Sequence, residues 1–500
     1  MSMKLNELNI MQASKGLQNG EFSSVELTRA CLDRIKNTDD KIKAFITVTK
    51  NYALLQAEKA DQRIKAGDEK DNFLLGVPCS IKDIVLTKNI LTTAASKILN
   101  NYIPPYDATL ITKLKKAGMV MLGKVNCDAF AHGSSTENSD FFTTHNPWDL
   151  KRVPGGSSGG SSASVVADQC LYSIGTDTGG SIRQPAAFCG MVGLKPTYGR
   201  VSRYGLVAMT SSTDCPSIMA KNVKDSAVIL EKIAGKDKRD ATTLNKSVDN
   251  YANLLDNYNI KGAKIGVPKE YFTKELNNAV GDSVKRAIKK LEELGAEIIE
   301  ISLPHTKYAV PAYYIITPSE ISSNLSRFDG IRFGYSETGK ENSEAKNLLD
   351  IYLKSKGEGF GSEAKRRIML GTYALSSGYY DAYYLQAQKV RTLIKKDFED
   401  AFQKVDLIIA PTSPTVAFKI GEHSDNILEM YLEDIFLSAV SLAGLPALSI
   451  PCGFAKPENG DKEMPIGMQI IGKPFDEKSI LGIANAYEEN ANWSKKKLSV

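Results

Sequence analysis

Histidine and pairable cysteine are scarce in this sequence. Four histidines, His132, His145, His305 and His423, occur in 500 residues. None stands in a context familiar from serine hydrolases, although spacing alone leaves a Ser-His-Asp triad open. The seven cysteines, Cys31, Cys79, Cys127, Cys170, Cys189, Cys215 and Cys452, are odd in number and widely spaced, with no CxxC. That excludes a disulfide framework and a zinc ribbon. It points to the reducing cytoplasm, and no metal site is expected. No run approaches the ~20 apolar residues that span a bilayer. Residues 1–20 hold no apolar core of the signal-peptide kind, so neither a leader nor a membrane partner is expected. No fixed period repeats, which excludes a solenoid. A net charge of +5 comes from basic residues interspersed with acids, whereas a nucleic-acid-binding domain would gather them in a patch. The run Lys495-Lys496-Lys497 reads as a solvated end.

What the sequence has in abundance is glycine and serine in one place. Pro154 to Gly193 carries two Gly/Ser segments, Gly155–Ser162 and Gly175–Ser181, around an apolar run, Ala163–Ile174. A flexible linker would lack that apolar middle. The pattern predicts a tight loop, a small-residue helix or strand, and a second tight loop facing the first. Glycines there let the backbone come close to a ligand and present N–H groups, as an oxyanion hole requires. No lysine follows Gly160 in the way a phosphate-binding loop needs. Gly156-Ser157-Ser158-Gly159 is one residue short of a nucleophile elbow. A serine activated by lysine remains.

The lysine in question is Lys82, in Gly76-Val77-Pro78-Cys79-Ser80-Ile81-Lys82-Asp83. Apolar residues lead in from Phe73 and continue at Ile84 and Val85. A lysine base has to be buried, because an ammonium with a pKa near ~10.4 is almost never neutral at pH 7. Pattern alone also allows pairing with Asp83, or a stem that snorkels to the surface.

These residues together, GGSSGG, then GTDTGGSIRQPAAFCGMVGLKPT, with GVPCSIKD upstream, resemble the amidase signature family. The resemblance implies hydrolysis of carboxamides by a Ser-cisSer-Lys triad. Ser181 would be the nucleophile, Ser157 the bridging serine and Lys82 the base. The backbone N–H groups of Thr178, Gly179, Gly180 and Ser181 would form the oxyanion hole. It also implies the family's α/β fold, a central mixed β-sheet covered by helices on both faces.

Periodicity gives the same fold class without the resemblance. Helices are expected from Ser23, with apolar Val25, Leu27, Cys31, Leu32 and Ile35 at helical spacing, and from about Tyr52 to Lys65, ending at Gly67. Thr109–Ala117 is amphipathic, stops at Gly118 and leads into an apolar strand, Met119–Leu122. Ser283–Leu294 repeats this through Gly295 into Glu297–Leu303, and Val390–Phe402 leads into Leu407–Ala410. Pro446–Pro451 and Ile466–Ile471 read as strands, and Lys478–Glu489 as a closing helix. Helix–strand alternation of this kind marks an α/β sheet. One domain is expected over 1–500, with N-terminal helices in 1–70, the signature core in 71–235, a helical insertion in 236–400 and the last part of the sheet in 401–500. Tyr379, Tyr380, Tyr383 and Tyr384, at helical spacing, read as core.

The second half closely resembles one branch of the family, the glutamine-hydrolysing subunits of tRNA-dependent amidotransferases. The likeness lies in Glu363–Tyr384, in SNLSRFDGIRFG and in MYLEDIF with AGLPALSIP. Only His132 departs from the branch, at a usually apolar position. The branch implies glutamine as substrate and Glu-tRNA(Gln) as the acceptor reached through a complex. The partners would be the B and C subunits, with ATP and Mg on a partner and no cofactor in this chain. A glutamine pocket needs a cation for the α-carboxylate and an anion for the α-ammonium. Arg367 and Asp434 are implied for these, with Arg366 an alternative to Arg367, and Tyr313 and Ser135 for the wall. A stand-alone amidase of small carboxamides is the rival reading, and a silent scaffold is a third.

Overall fold

Each expected helix–glycine–strand unit is present in the computed structural model, which describes residues 4–67, 71–273, 276–423, 426–491 and 498. The run Lys495-Lys496-Lys497 lies outside the described residues. A capping box between Ser23 and Glu26 opens the helix Ser24–Ile42, which buries Leu27, Cys31, Leu32 and Ile35. The helix Thr109–Lys116 ends before Gly118, whose φ of +78° no L side chain takes comfortably. The helix Asn278–Glu293 starts earlier than periodicity suggested, because the side chain of Asn277 accepts from Ala279 N and caps it there. It stops before Gly295, at φ +103°. The Gly/Ser core yields a helix and then a strand, Gly159–Val166 and Tyr172–Thr176.

Among the described residues eleven strands form one sheet. They are β1 (Phe45–Val48), β2 (Pro78–Lys82), β3 (Val120–Val125), β4 (Tyr172–Thr176), β5 (Val192–Lys195), β6 (Pro216–Ala220), β7 (Lys264–Pro268), β8 (Glu297–Ile301), β9 (Leu407–Pro411), β10 (Ala447–Ala455) and β11 (Met464–Gly472). Their order across the sheet is β1-β3-β2-β4-β6-β5-β10-β11-β9-β7-β8. The flanks hold the parallel pairs β3–β2–β4 and β9–β7–β8, while the middle from β4 to β9 is antiparallel. The sheet is therefore mixed. Alternation along β11 shows both faces covered. Met468 and Ile470 pack into one cluster with Ile480 and Leu481, and Ile471 packs into another with Ile316 and Ile394.

Three expectations need correction. The first 70 residues are not helical throughout, since β1 pairs with β3 as an edge strand. Residues 236–400 are not wholly a helical insertion, since β7, which was not expected, joins the expected strand β8 to complete the sheet beside β9. Tyr379, Tyr380 and Tyr383 are not core but 42%, 44% and 39% exposed. Gly378, with φ +87°, and the π-helical turn Asp381–Leu385 break the α-helical register, so helical spacing no longer leads to the interior.

One close approach positions the site. The helix Ser362–Ala374 lies so near the helix Ala309–Leu325 that a Cβ on Gly371 would come within 1.9 Å of the Pro318 carbonyl oxygen. Gly371→Ala is expected to destabilise the protein by about 1–3 kcal/mol, as overpacking does. Urea unfolding measures this, and an unchanged midpoint would mean that the helices separate without cost.

Candidate active site

Lys82 ends β2, and Thr176 ends the adjacent parallel strand β4, in the register Ile81↔Ile174. The carboxyl ends of parallel strands are where such sheets open sites. Here Lys82 Nζ lies 2.7 Å from Ser157 Oγ, 2.9 Å from Ser158 Oγ and 3.0 Å from Thr176 Oγ1, and the side chain has no exposure. The alternative pairing with Asp83 does not occur, because strand alternation turns Asp83 to the other side. Its carboxylate lies 3.5 Å from Lys124 Nζ and accepts from the Thr93 hydroxyl and from Thr93 N at 2.9 Å. Among the described residues Lys82 is bonded only to hydroxyls.

Burial pushes the Lys82 pKa down to about 8, against the smaller opposing fields of Cys127, Asp128, Asp214 and Asp177. Roughly one lysine in ten is then neutral at pH 7, instead of one in a few thousand. The folded pKa lies below the unfolded value of 10.5, so this lysine costs about 3 kcal/mol of stability at neutral pH. The cost falls as pH rises from 8 through 10.5. Asp128 and Asp214, both raised by burial to about 6, are charged at that pH.

Ser157 follows a cis Gly156–Ser157 peptide. Ser158 Oγ donates to the Thr176 carbonyl at 3.1 Å, so that hydroxyl is committed, whereas among the described residues Ser157 Oγ is bonded only to Lys82. The backbone holds the serine loops together through Ser158 N to Ser181 O, 3.2 Å. No hydrogen bond joins the Ser157 and Ser181 hydroxyls among the described contacts. Catalytic bonds of this kind are commonly long without substrate.

The turn carrying Ser181 is held by a buried pair that sequence reasoning left without a role. Arg183 Nε donates to Asp177 Oδ2 at 2.9 Å and Nη2 to Oδ1 at 3.0 Å, with both residues fully buried. Burial alone would raise the Asp177 pKa, but the guanidinium holds it below the usual carboxylate range. Glycine is required at two of the expected oxyanion positions. A Cβ on Gly179 would reach within 2.5 Å of the Tyr313 ring, and one on Gly180, at φ +142°, within 2.5 Å of Leu437. Thr178 Oγ1 donates to Asp214 Oδ1 at 2.9 Å. The internal Asp–Arg spacing of GTDTGGSIR was the available signal.

The four pocket residues are brought near one another but divide between two sides. Tyr313 covers the Gly179 turn. Its neighbour Tyr314, ring centroids 5.2 Å away, faces a cavity of about 260 Å³ that Ser135, Glu363, Arg366, Arg367 and Tyr431 also line. Asp434 accepts from Tyr314 Oη at 3.2 Å, and burial pushes its carboxyl up to about 7, against that hydrogen bond and Arg367. Arg367 is buried and packs against Tyr314 and Tyr431, 5.5 and 5.9 Å from the ring centroids, whereas the Arg366 side chain is 40% exposed. Of the two adjacent arginines, Arg367 is thus the buried one. Glu363, Tyr314 and Tyr431 were missed; only Glu363 left a signal, one helical turn before Arg367. Buried His132, the departing residue, has no hydrogen-bond partner on either ring nitrogen among the described residues and is held neutral by burial.

A family model described as Amidase matches residues 26–481. The chain is 56% identical over 469 residues to the A subunit of a glutamyl-tRNA(Gln) amidotransferase from Heliobacterium modesticaldum, covering 94% of each. It is 54% identical over 493 residues to the protein of that name from Carboxydothermus hydrogenoformans, covering 99% of each. Among solved structures, the A subunit of the Thermotoga maritima glutamyl-tRNA(Gln) amidotransferase superposes with a TM-score of 0.80 at 42% identity, over 98% of this chain and 96% of that one.

A base that must be neutral predicts an alkaline limb. The rate at which a serine-directed acylating reagent labels Ser181 should rise with pH, reach half its maximum near pH 8 and level off above it. Lys82→Ala should slow labelling by ~10² or more and remove the limb. A limb that survives in that variant would assign the base to another group.

Proposed function

The chain belongs to the amidase family, and from that premise we propose that it is the glutaminase subunit of a tRNA-dependent amidotransferase, releasing ammonia to convert Glu-tRNA(Gln) to Gln-tRNA(Gln). The observation that carries this reading is the likeness to the amidotransferase A subunits, at more than half identity along nearly the whole chain. The site geometry supplies a mechanism. Neutral Lys82 takes a proton from Ser157, which takes one from Ser181 as its oxygen attacks the side-chain amide carbon of glutamine. The tetrahedral oxyanion meets the N–H groups of Thr178, Gly179, Gly180 and Ser181, where one donor is worth ~3 kcal/mol. The proton returns along the same path to the leaving nitrogen, ammonia departs, and water releases glutamate from the acyl-enzyme.

Substrate recognition is assigned to the groups around Tyr314, between the cavity and the Gly179 turn. Arg367 grips the α-carboxylate and Asp434 the α-ammonium, with Tyr313 and Ser135 as walls. A charged Asp434 beside Arg367 suits a zwitterion, and its raised pKa falls when an ammonium is bound against it. Activation of the tRNA-borne glutamate belongs to a partner that holds ATP and Mg. The working assembly is a cytoplasmic heterotrimer with the B and C subunits. No group of three or more metal-ligating side chains occurs among the described residues, and no described helix is long and apolar enough to cross a membrane.

The decisive experiment separates making ammonia from using it. In the assembled complex, Ser181→Ala should abolish formation of Gln-tRNA(Gln) from glutamine and retain it when ammonium is supplied. A stand-alone amidase has no second reaction to rescue. Failure of ammonium rescue, with full activity of the isolated chain on simple amides, would transfer the protein to that class.

A further inference from the structure

We propose that Glu363 is a positioning residue that aims Arg367 at the carboxylate of an α-amino-acid substrate, a proposal that rests on the glutaminase reading above. Glu363 lies in the first turn of the helix Ser362–Ala374, where the helix dipole favours a carboxylate. Arg367 follows one turn later, the spacing at which side chains on a helix meet. Arg367 Nε donates to Glu363 Oε1 at 2.7 Å, and both residues are buried. A guanidinium can take a carboxylate side-on, through Nε and one Nη, or end-on, through its two Nη groups. Glu363 occupies Nε. The terminal amino groups of Arg367 have no hydrogen-bond partner among the described residues, so the end-on fork is the one left for a ligand.

The surroundings make this more than a buried ion pair. Arg367 lies against Tyr314 and Tyr431, whose own rings are stacked with centroids 3.6 Å apart and planes 18° from parallel. Glu363 and the aromatic pair thus fix the guanidinium on a cavity that it lines. The second oxygen of Glu363 is engaged by Arg366 Nη1, and Tyr431 Oη lies 3.5 Å from Oε1. Arg366, Arg367, Glu363 and Glu137 line the cavity, and Asp434 is held beside it by the Tyr314 hydroxyl. A ligand carboxylate finds the open fork of Arg367, and a simple amide gains nothing from it.

The test uses the assembled complex and two substrates, L-glutamine and 4-aminobutanamide, which is glutamine without its α-carboxylate. Glu363→Gln should raise KM for glutamine roughly tenfold or more with little change in kcat, the pattern of lost ground-state binding. It should leave kcat/KM for 4-aminobutanamide within about twofold of wild type. Because Glu363→Gln leaves Arg367 unpaired and could unfold the helix, a cycle through Arg367→Met is run alongside, with thermal melting as the check on folding. If Glu363 acts through Arg367, adding Glu363→Gln to Arg367→Met costs no further glutamine affinity. Equal losses on both substrates, or additive losses in the cycle, would overturn the proposal while the glutaminase reading stood. Wild-type complex that fails to hydrolyse glutamine would instead remove that reading.

Discussion

The site depends on one arrangement: an amine buried among hydroxyls instead of beside a carboxylate. A carboxylate in bonding range of Lys82 would keep it protonated and useless as a base. The structure meets this by strand alternation. Consecutive residues point to opposite faces, so Lys82 reaches Ser157, Ser158 and Thr176 while Asp83 reaches Lys124. The neighbouring acids, Asp128, Asp177 and Asp214, raise the lysine pKa by their fields alone, less than burial lowers it. The cost in stability is borne by a large hydrophobic core on each face of the sheet.

Around that amine the fold supplies rigidity in layers. Parallel β2 and β4 set the lysine and Thr176 side by side. The Asp177–Arg183 clamp closes the turn between β4 and the helix Arg183–Cys189, and Arg183 reaches further to Gln469 Oε1 at 3.1 Å and Ser441 Oγ at 2.9 Å. The turn that carries Ser181 is thereby tied to the far half of the chain. The proposed charged recognition groups come from that half as well, Arg367 on the helix Ser362–Ala374 and Asp434 on the segment that also carries Tyr431. Chemistry and recognition, on this reading, are encoded far apart and meet only when the sheet is complete.

Much of this was legible beforehand because it is local. Ser23 with Glu26, Gly118 and Gly295 mark element ends by capping and by positive φ, which depend on a few adjacent residues. The Gly/Ser segments announced tight turns in the same way, whereas the apolar lead-in to Lys82 left its burial open beside pairing with Asp83 or snorkelling. The tyrosines from Tyr379 to Tyr384 misled, because their helical spacing is interrupted by Gly378 and a π-helical turn. β1 was missed because Phe45–Val48 is a short edge strand between two strong helical signals.

By itself, then, the sequence determined the fold class and the glycine-bounded turns, and it singled out Lys82 as a candidate, since backbone conformation is written in neighbouring residues. Only the tertiary structure decided that Lys82 bonds Ser157 and not Asp83, that Arg367 is buried and Arg366 is not, and that Glu363, Tyr314 and Tyr431 frame the guanidinium. The reason is physical. Two adjacent charged residues look alike along a chain, and which one loses its water depends on packing from segments tens of residues away.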